Sequence, residues 1–319
     1  MNTPPLGFIT PAERNNEQHD AHAAALAKMV RFTLPPPELA AGAKVVLSEF
    51  WNKPEVVAET GLTWDRSPFH QLTGSCVGCG GGNALYTLMA VQRCLSQGAT
   101  KAFVPFWPFN YGRCRSNEGD RGQGEGAMGS SFAEVIVKEG IIDAASDGLT
   151  QFQKGDGLVL TSNQEMQWSD GASSLVTKWV EAAKVHPVGS AAPMRSAADI
   201  KAAVTNGYPI TFACNNYIGN ASVTGSGEDA AVVGYWDGNG GHQQWVFGYW
   251  DNPTLGPLYA VGNNWPKSTY PKDPAGLPLV CCWVKEAKVD SAIKNLDAEV
   301  YALSHLTWFP AQNVLSWLI

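Results

Sequence analysis

Cys79 closes the stretch Gly74-Ser75-Cys76-Val77-Gly78-Cys79, just ahead of a segment patterned as a helix. A thiol at a helix N-terminus meets the positive end of the helix dipole and unpartnered backbone N–H groups. Both favour the thiolate, the form that attacks carbonyl carbon. Acyl transfer by a cysteine needs three further things: a base that holds and returns the proton, a group that orients the base, and donors for the oxyanion. Far downstream, His242 opens the strand-like run His242-Gln243-Gln244-Trp245-Val246-Phe247-Gly248-Tyr249, and Asn263-Asn264-Trp265-Pro266 follows it. A sulfur nucleophile, an imidazole and a carboxamide thus occur in that order.

These groups need elements to carry them. From Asn83 to Gln97, Leu85, Leu88, Met89, Val91 and Leu95 fall mainly on one helical face and Gly98 supplies a stop, so a helix with Cys79 at its start is expected. A second helix is predicted over 131–139, closed by Gly140, and a third over 196–206, with Ser196 as N-cap and Asn206-Gly207 as the stop. A short helix is expected from Ala21 to Phe32. Beyond residue 206 the texture is β-type, with candidate strands 210–215, 230–236, 243–250, 258–261 and 279–284 between Gly/Asn/Asp turns. Helices first and an antiparallel sheet afterwards predict an α+β fold in two lobes.

The chain resembles the papain-like cysteine peptidases. In that family the nucleophile follows a second cysteine by three positions, and Cys76 and Cys79 fit that spacing with Gly74-Ser75 ahead of them; Val77, Gly78 and Gly80 depart from the pattern. The family base opens a strand reading His, five residues, then Gly-Tyr, as at His242 and Gly248-Tyr249. A similar run before Gly234-Tyr235 carries Glu228 where His would stand. The resemblance implies Asn263 as the group orienting His242, with Asn264 the neighbouring alternative, and Trp265 as a shield over that bond; Pro266 replaces the family glycine. It implies a glutamine in the oxyanion hole six residues before the nucleophile. That position holds Thr73, and Gln71, eight residues back, is the candidate. The Gly122-Gln123-Gly124-Glu125-Gly126-Ala127 run occupies the place of the family's substrate-binding ridge, which makes Gly124 and Gly126 candidate substrate contacts. The ridge cysteine is missing, leaving Cys114 as the candidate partner of Cys76. The resemblance spans about 66–290. Residues 1–65 are expected to be an arm and lead-in without match to the family's inhibitory pro-segment, and 291–319 an apolar tail.

Composition narrows the function. Charged residues make up 16% of the 319, against about 25% in ordinary soluble domains. With 12 Trp, 33 Gly and 20 Pro, this suggests a loop-rich protein with much covered surface, in part covered by partner subunits through the arm and tail. A net charge of −7 without a basic cluster argues against nucleic acid and anionic membrane. No apolar run reaches the roughly 18–20 residues of a membrane span, and no basic stretch leads into an apolar one at the start, so no secretory signal is expected. Seven cysteines, an odd number, fit reduced thiols better than a disulfide framework. Cys76-x-x-Cys79 has the spacing of half a zinc site, but adjacent Cys281-Cys282 cannot supply the other half, and no metal or cofactor is expected. The resulting expectation is a peptidase or amidase acting on peptide substrates in the cytoplasm or within a virion. The alternative is a structural or binding subunit, such as one of a tailed-phage virion, that reuses the fold.

Overall fold

A computed structural model describes residues 6–10, 13, 17, 36–63, 69–95, 100–154, 157–170, 173–265 and 270–309. The helix expected over 21–32 and the last ten residues lie outside these. The helices are α1 (Pro54–Thr60), α2 (Cys76–Leu95), α3 (Trp107–Glu118), α4 (Gly129–Lys138), α5 (Ser162–Ser169), α6 (Thr177–Ala183), α7 (Ala197–Thr205) and α8 (Glu286–Asn295). None among the described residues is long and apolar enough to cross a membrane. The strands are β1 (Lys44–Val46), β2 (Gln153–Lys154), β3 (Gly157–Leu158), β4 (Ala191–Pro193), β5 (Ile210–Thr224), β6 (Ala231–Asn252), β7 (Gly256–Gly262), β8 (Cys281–Lys285) and β9 (Glu299–Leu303).

Seven strands form one sheet in the order β4-β9-β5-β6-β7-β8, with β1 also pairing β6. The expected α+β class is the observed one: α1 to α7 come mostly before the long strands, and the sheet is almost wholly antiparallel. The two separate strands expected around 230–250 are one. Residues 237–241 stay paired with β5 through Asn216↔Asn239 and Tyr217↔Gly238, and irregular register there bends the ribbon. From His242 to Trp250, β6 is buried on nearly every residue, because α2 covers one face and other strands flank it. The sheet also overruns the expected 66–290 limits. β1 precedes them, and β9, buried at all five residues, follows them between β4 and β5.

α2 starts at Cys76, seven residues before the apolar periodicity begins, and its glycines explain why. Glycine costs a helix about 1 kcal/mol relative to alanine, yet here it permits close packing. A Cβ on Gly80 would stand 2.8 Å from the Gln243 carbonyl oxygen on β6, and one on Gly81 would overlap the Phe132 ring of α4. The Gly-rich turn lets α2 press onto the strand that carries His242. The tryptophans account for the low charge: Trp51, Trp107, Trp245 and Trp283 are essentially wholly buried, so the aromatic mass fills the core.

Candidate active site

His242 sits where β6 passes beneath the first turn of α2. Its Nε2 lies 3.1 Å from Asn263 Oδ1, and the Asn264 N–H donates to the same oxygen at 2.8 Å. A backbone N–H can only donate, so that atom is the acceptor and Nε2 carries the ring's hydrogen. In the neutral ring this leaves Nδ1 as the proton-accepting nitrogen. Nδ1 is buried without a hydrogen-bond partner among the described residues. Trp265 stacks on the imidazole, ring centroids 4.5 Å apart at 24°, and Tyr217 meets Trp265 edge-on at 4.9 Å. These two rings wall the His242–Asn263 bond from water. The neighbouring Asn264 serves the backbone instead. Its Nδ2 donates to the carbonyls of Cys76 and Gln243, fastening the start of α2 to β6. Pro266 lies outside the described residues.

The two cysteines of the motif are in unequal positions. Cys76 is the first residue of α2, and the backbone of Gln243, the residue after His242, lies close enough to its sulfur to favour the thiolate. Cys79 lies one turn further in. Its N–H is bonded to Ser75 O at 3.0 Å and is not open to a substrate oxyanion. Its sulfur meets the Asn264 amide, while the nearby Glu165 carboxylate opposes a thiolate there. Burial pushes both thiols up, that of Cys76 to about 12. Burial likewise depresses His242, to about 4, only partly countered by the neighbouring Asn263 and Asn264 side chains. All seven cysteines are free thiols, so Cys76 and Cys114 are not joined.

The burial has a visible cause. Residues 6–10 cross the site as an extended strap. Phe8 N–H donates to Gly241 O at 3.3 Å, Ile9 N–H to Ala127 O at 2.9 Å, and Ala127 N–H to Gly7 O at 2.9 Å, a parallel bridge centred on Phe8. The Gly7 backbone lies near the Cys76 sulfur. Only glycine fits at position 7, since a Cβ there would overlap the Gly74 carbonyl. The strap thus covers the thiol.

The loop leading into Cys76 is held from several sides. Gln71 is buried; its N–H donates to Asn264 O at 2.9 Å and its side-chain amide to Thr73 O at 2.9 Å. Gln71 is five residues before Cys76 and eight before Cys79. The Tyr111 hydroxyl donates to Gly74 O and accepts from the Gly126 N–H, tying the glycine-rich loop to the cysteine loop. Glu125 accepts from the Gly74 N–H. Buried Arg115 donates to the carbonyls of Asp120, Gly124 and Gly126 and so shapes the loop from within. Of the two expected substrate contacts, Gly126 lies against the strap, while nothing stands within 4 Å of a Cβ built on Gly124. The residue that pairs with the strap is Ala127. Sequence reading missed Tyr111, Arg115 and Glu165, since none belongs to a local motif.

The sequence matches no family model and no curated protein. Solved structures do match. The chain superposes on xylellain, a cysteine protease from Xylella fastidiosa, with a TM-score of 0.56 at 15% identity over 96% of this chain and 98% of that one. A procathepsin B from Trypanosoma congolense gives 0.49 at 13% over 89% and 87%, and procathepsin L 3 of Tenebrio molitor larval midgut 0.46 at 16% over 90% and 79%. The fold is that of the papain-like cysteine proteases.

Proposed function

We propose that the protein is a cysteine peptidase or amidase whose nucleophile is Cys76. The observation that carries this reading is the junction of α2 with β6. There Asn264 fastens a first-turn cysteine to the backbone of the residue beside His242, and His242 is oriented by Asn263 under Trp265. With the strap lifted, water reaches the pair and the thiol proton passes to His242 Nδ1. The Cys76 thiolate then adds to a peptide carbonyl. The developing oxyanion takes the Cys76 N–H and the Gln71 side-chain amide. The imidazolium returns its proton to the leaving amine as the C–N bond breaks. Water, deprotonated by His242, adds to the thioester, and the Cys76 sulfur leaves to restore the enzyme. The Cys79 thiol is the rival nucleophile from the sequence motif, but it lacks a free N–H and faces Glu165.

The strap makes the described state a closed one, with Leu6–Thr10 an inhibitory segment that must leave before a substrate enters. The assembly role suggested by the apolar tail rests on residues 310–319, outside those described. The test is turnover of a panel of fluorogenic peptide amides by the protein with and without residues 1–10, alongside Cys76→Ala and Cys79→Ala. Activity in the shortened protein that survives Cys79→Ala and vanishes with Cys76→Ala supports the reading. No hydrolysis of any amide by the shortened protein contradicts it.

A further inference from the structure

Glu165, on α5, is 1% exposed and lies beside no cation at ion-pair distance among the described residues. Its carboxylate accepts from the Leu72 N–H at 3.1 Å, the Thr73 N–H at 3.0 Å, the Thr73 hydroxyl and the Ser75 hydroxyl. A buried carboxylate is costly unless such donors replace its water. Four donors from a four-residue stretch converge on one side chain, and that stretch runs straight into Cys76. Thr73 in turn offers its carbonyl to the Gln71 amide. One carboxylate thereby fixes both ends of the proposed oxyanion site. Ser75 sets the entry into the α2 turn that aims the Cys76 N–H, and Thr73 sets the Gln71 side chain.

We propose that Glu165 is a positioning residue that holds residues 72–75 in the shape needed to point the Cys76 N–H and the Gln71 amide at a substrate oxyanion. This rests on the peptidase reading above. Glu165 acts through the loop and touches no substrate, so its loss weakens stabilisation of the tetrahedral intermediate while leaving the sulfur and His242 in place.

Two reactions of Cys76 separate these effects. Alkylation by iodoacetamide forms the S–CH2 bond as iodide leaves, with the thiol proton going to His242, and no oxyanion develops. Amide hydrolysis passes through a tetrahedral oxyanion, and addition of the thiol to a peptide aldehyde builds the same tetrahedral centre with its oxygen among the same donors, the thiol proton ending on the hemithioacetal hydroxyl. Glu165→Gln keeps the side chain's shape but turns an NH2 group toward loop N–H donors. In a strap-opened Gly7→Ala background, Glu165→Gln is expected to lower kcat by about tenfold or more with little change in KM, since a single oxyanion donor is worth about a hundredfold. Aldehyde binding should weaken in the same direction by a smaller factor, while alkylation stays within about twofold. Ser75→Ala, which removes one hydroxyl donor, should give the same split at smaller size and serves if Glu165→Gln does not fold. Equal losses in alkylation and hydrolysis would mean general damage to the site and overturn the proposal, as would no change in either. If the Gly7→Ala parent neither hydrolyses amides nor alkylates in a His242-dependent way, the peptidase reading itself fails and this proposal falls with it. An active parent unchanged by Glu165→Gln sinks the Glu165 role alone.

Discussion

One helical turn separates Cys76 from Cys79, and their surroundings differ in sign. Backbone groups near Cys76 favour its thiolate, whereas the Cys79 thiol has the Glu165 charge nearby and an N–H already bonded within the helix. Cys76→Ala should therefore abolish hydrolysis. Cys79→Ala should keep it within a few-fold and cost on the order of 1 kcal/mol of stability for the small cavity left. Thermal melts and turnover on the two variants check both. His242 carries the pH dependence. Its pKa in the closed state is lowered to about 4 from the ordinary 6.5, so the closed state binds fewer protons than any state that hydrates the ring. A depressed folded-state pKa means stability present above about pH 6.5 and lost as pH falls toward 4, by on the order of 3 kcal/mol across that window. Hydrogen exchange at Phe8 and Ile9, corrected for the intrinsic pH effect, should quicken between pH 7 and pH 5. His242→Gln should remove that dependence.

At the scale of elements, the strap controls access and Gly7 is its weak point. A methyl group there overlaps Gly74 O, and the short strap can yield more easily than the loop pinned by Tyr111 and Glu125. Gly7→Ala should raise the rate of iodoacetamide labelling about tenfold or more by shifting the closed equilibrium by about 1.4 kcal/mol or more. A rate equal to that of the parent protein would show that the strap does not gate the sulfur. The elements also show what a sequence displays. The His242 strand and the Ser196 cap of α7 were legible because each is a local pattern; the Ser196 side chain accepts from the Asp199 N–H as the cap rule expects. The start of α2 was off by one turn. The expected helix opened at Cys79, because the family spacing of the two cysteines put the nucleophile there and the glycines around it look like helix breakers until Gln243, Phe132 and Trp107 are seen packed against them. The strap escaped notice for a related reason: its bridge partner, Ala127, belongs to a distant loop, and no local pattern in residues 6–10 announces it.

Across the whole molecule, the cleft depends on strands outside the apparent domain. β9 joins β4 to β5, and Glu299 on it accepts from the Ser130 N–H at the start of α4. A chain ended at residue 290 strips β5 of that neighbour and exposes the buried edge it covers. It should fail to fold cooperatively, seen as loss of a sharp thermal transition in circular dichroism.

The most direct test is to treat Gly7→Ala protein with a limiting amount of iodoacetamide near pH 6.5 and map the modified cysteine by peptide mass spectrometry, with and without His242→Ala. A label on Cys76 that is lost or greatly slowed without His242 is the expected result. A label on Cys79 with Cys76 untouched, or a rate at Cys76 indifferent to His242, would contradict the proposed sulfur–imidazole pair.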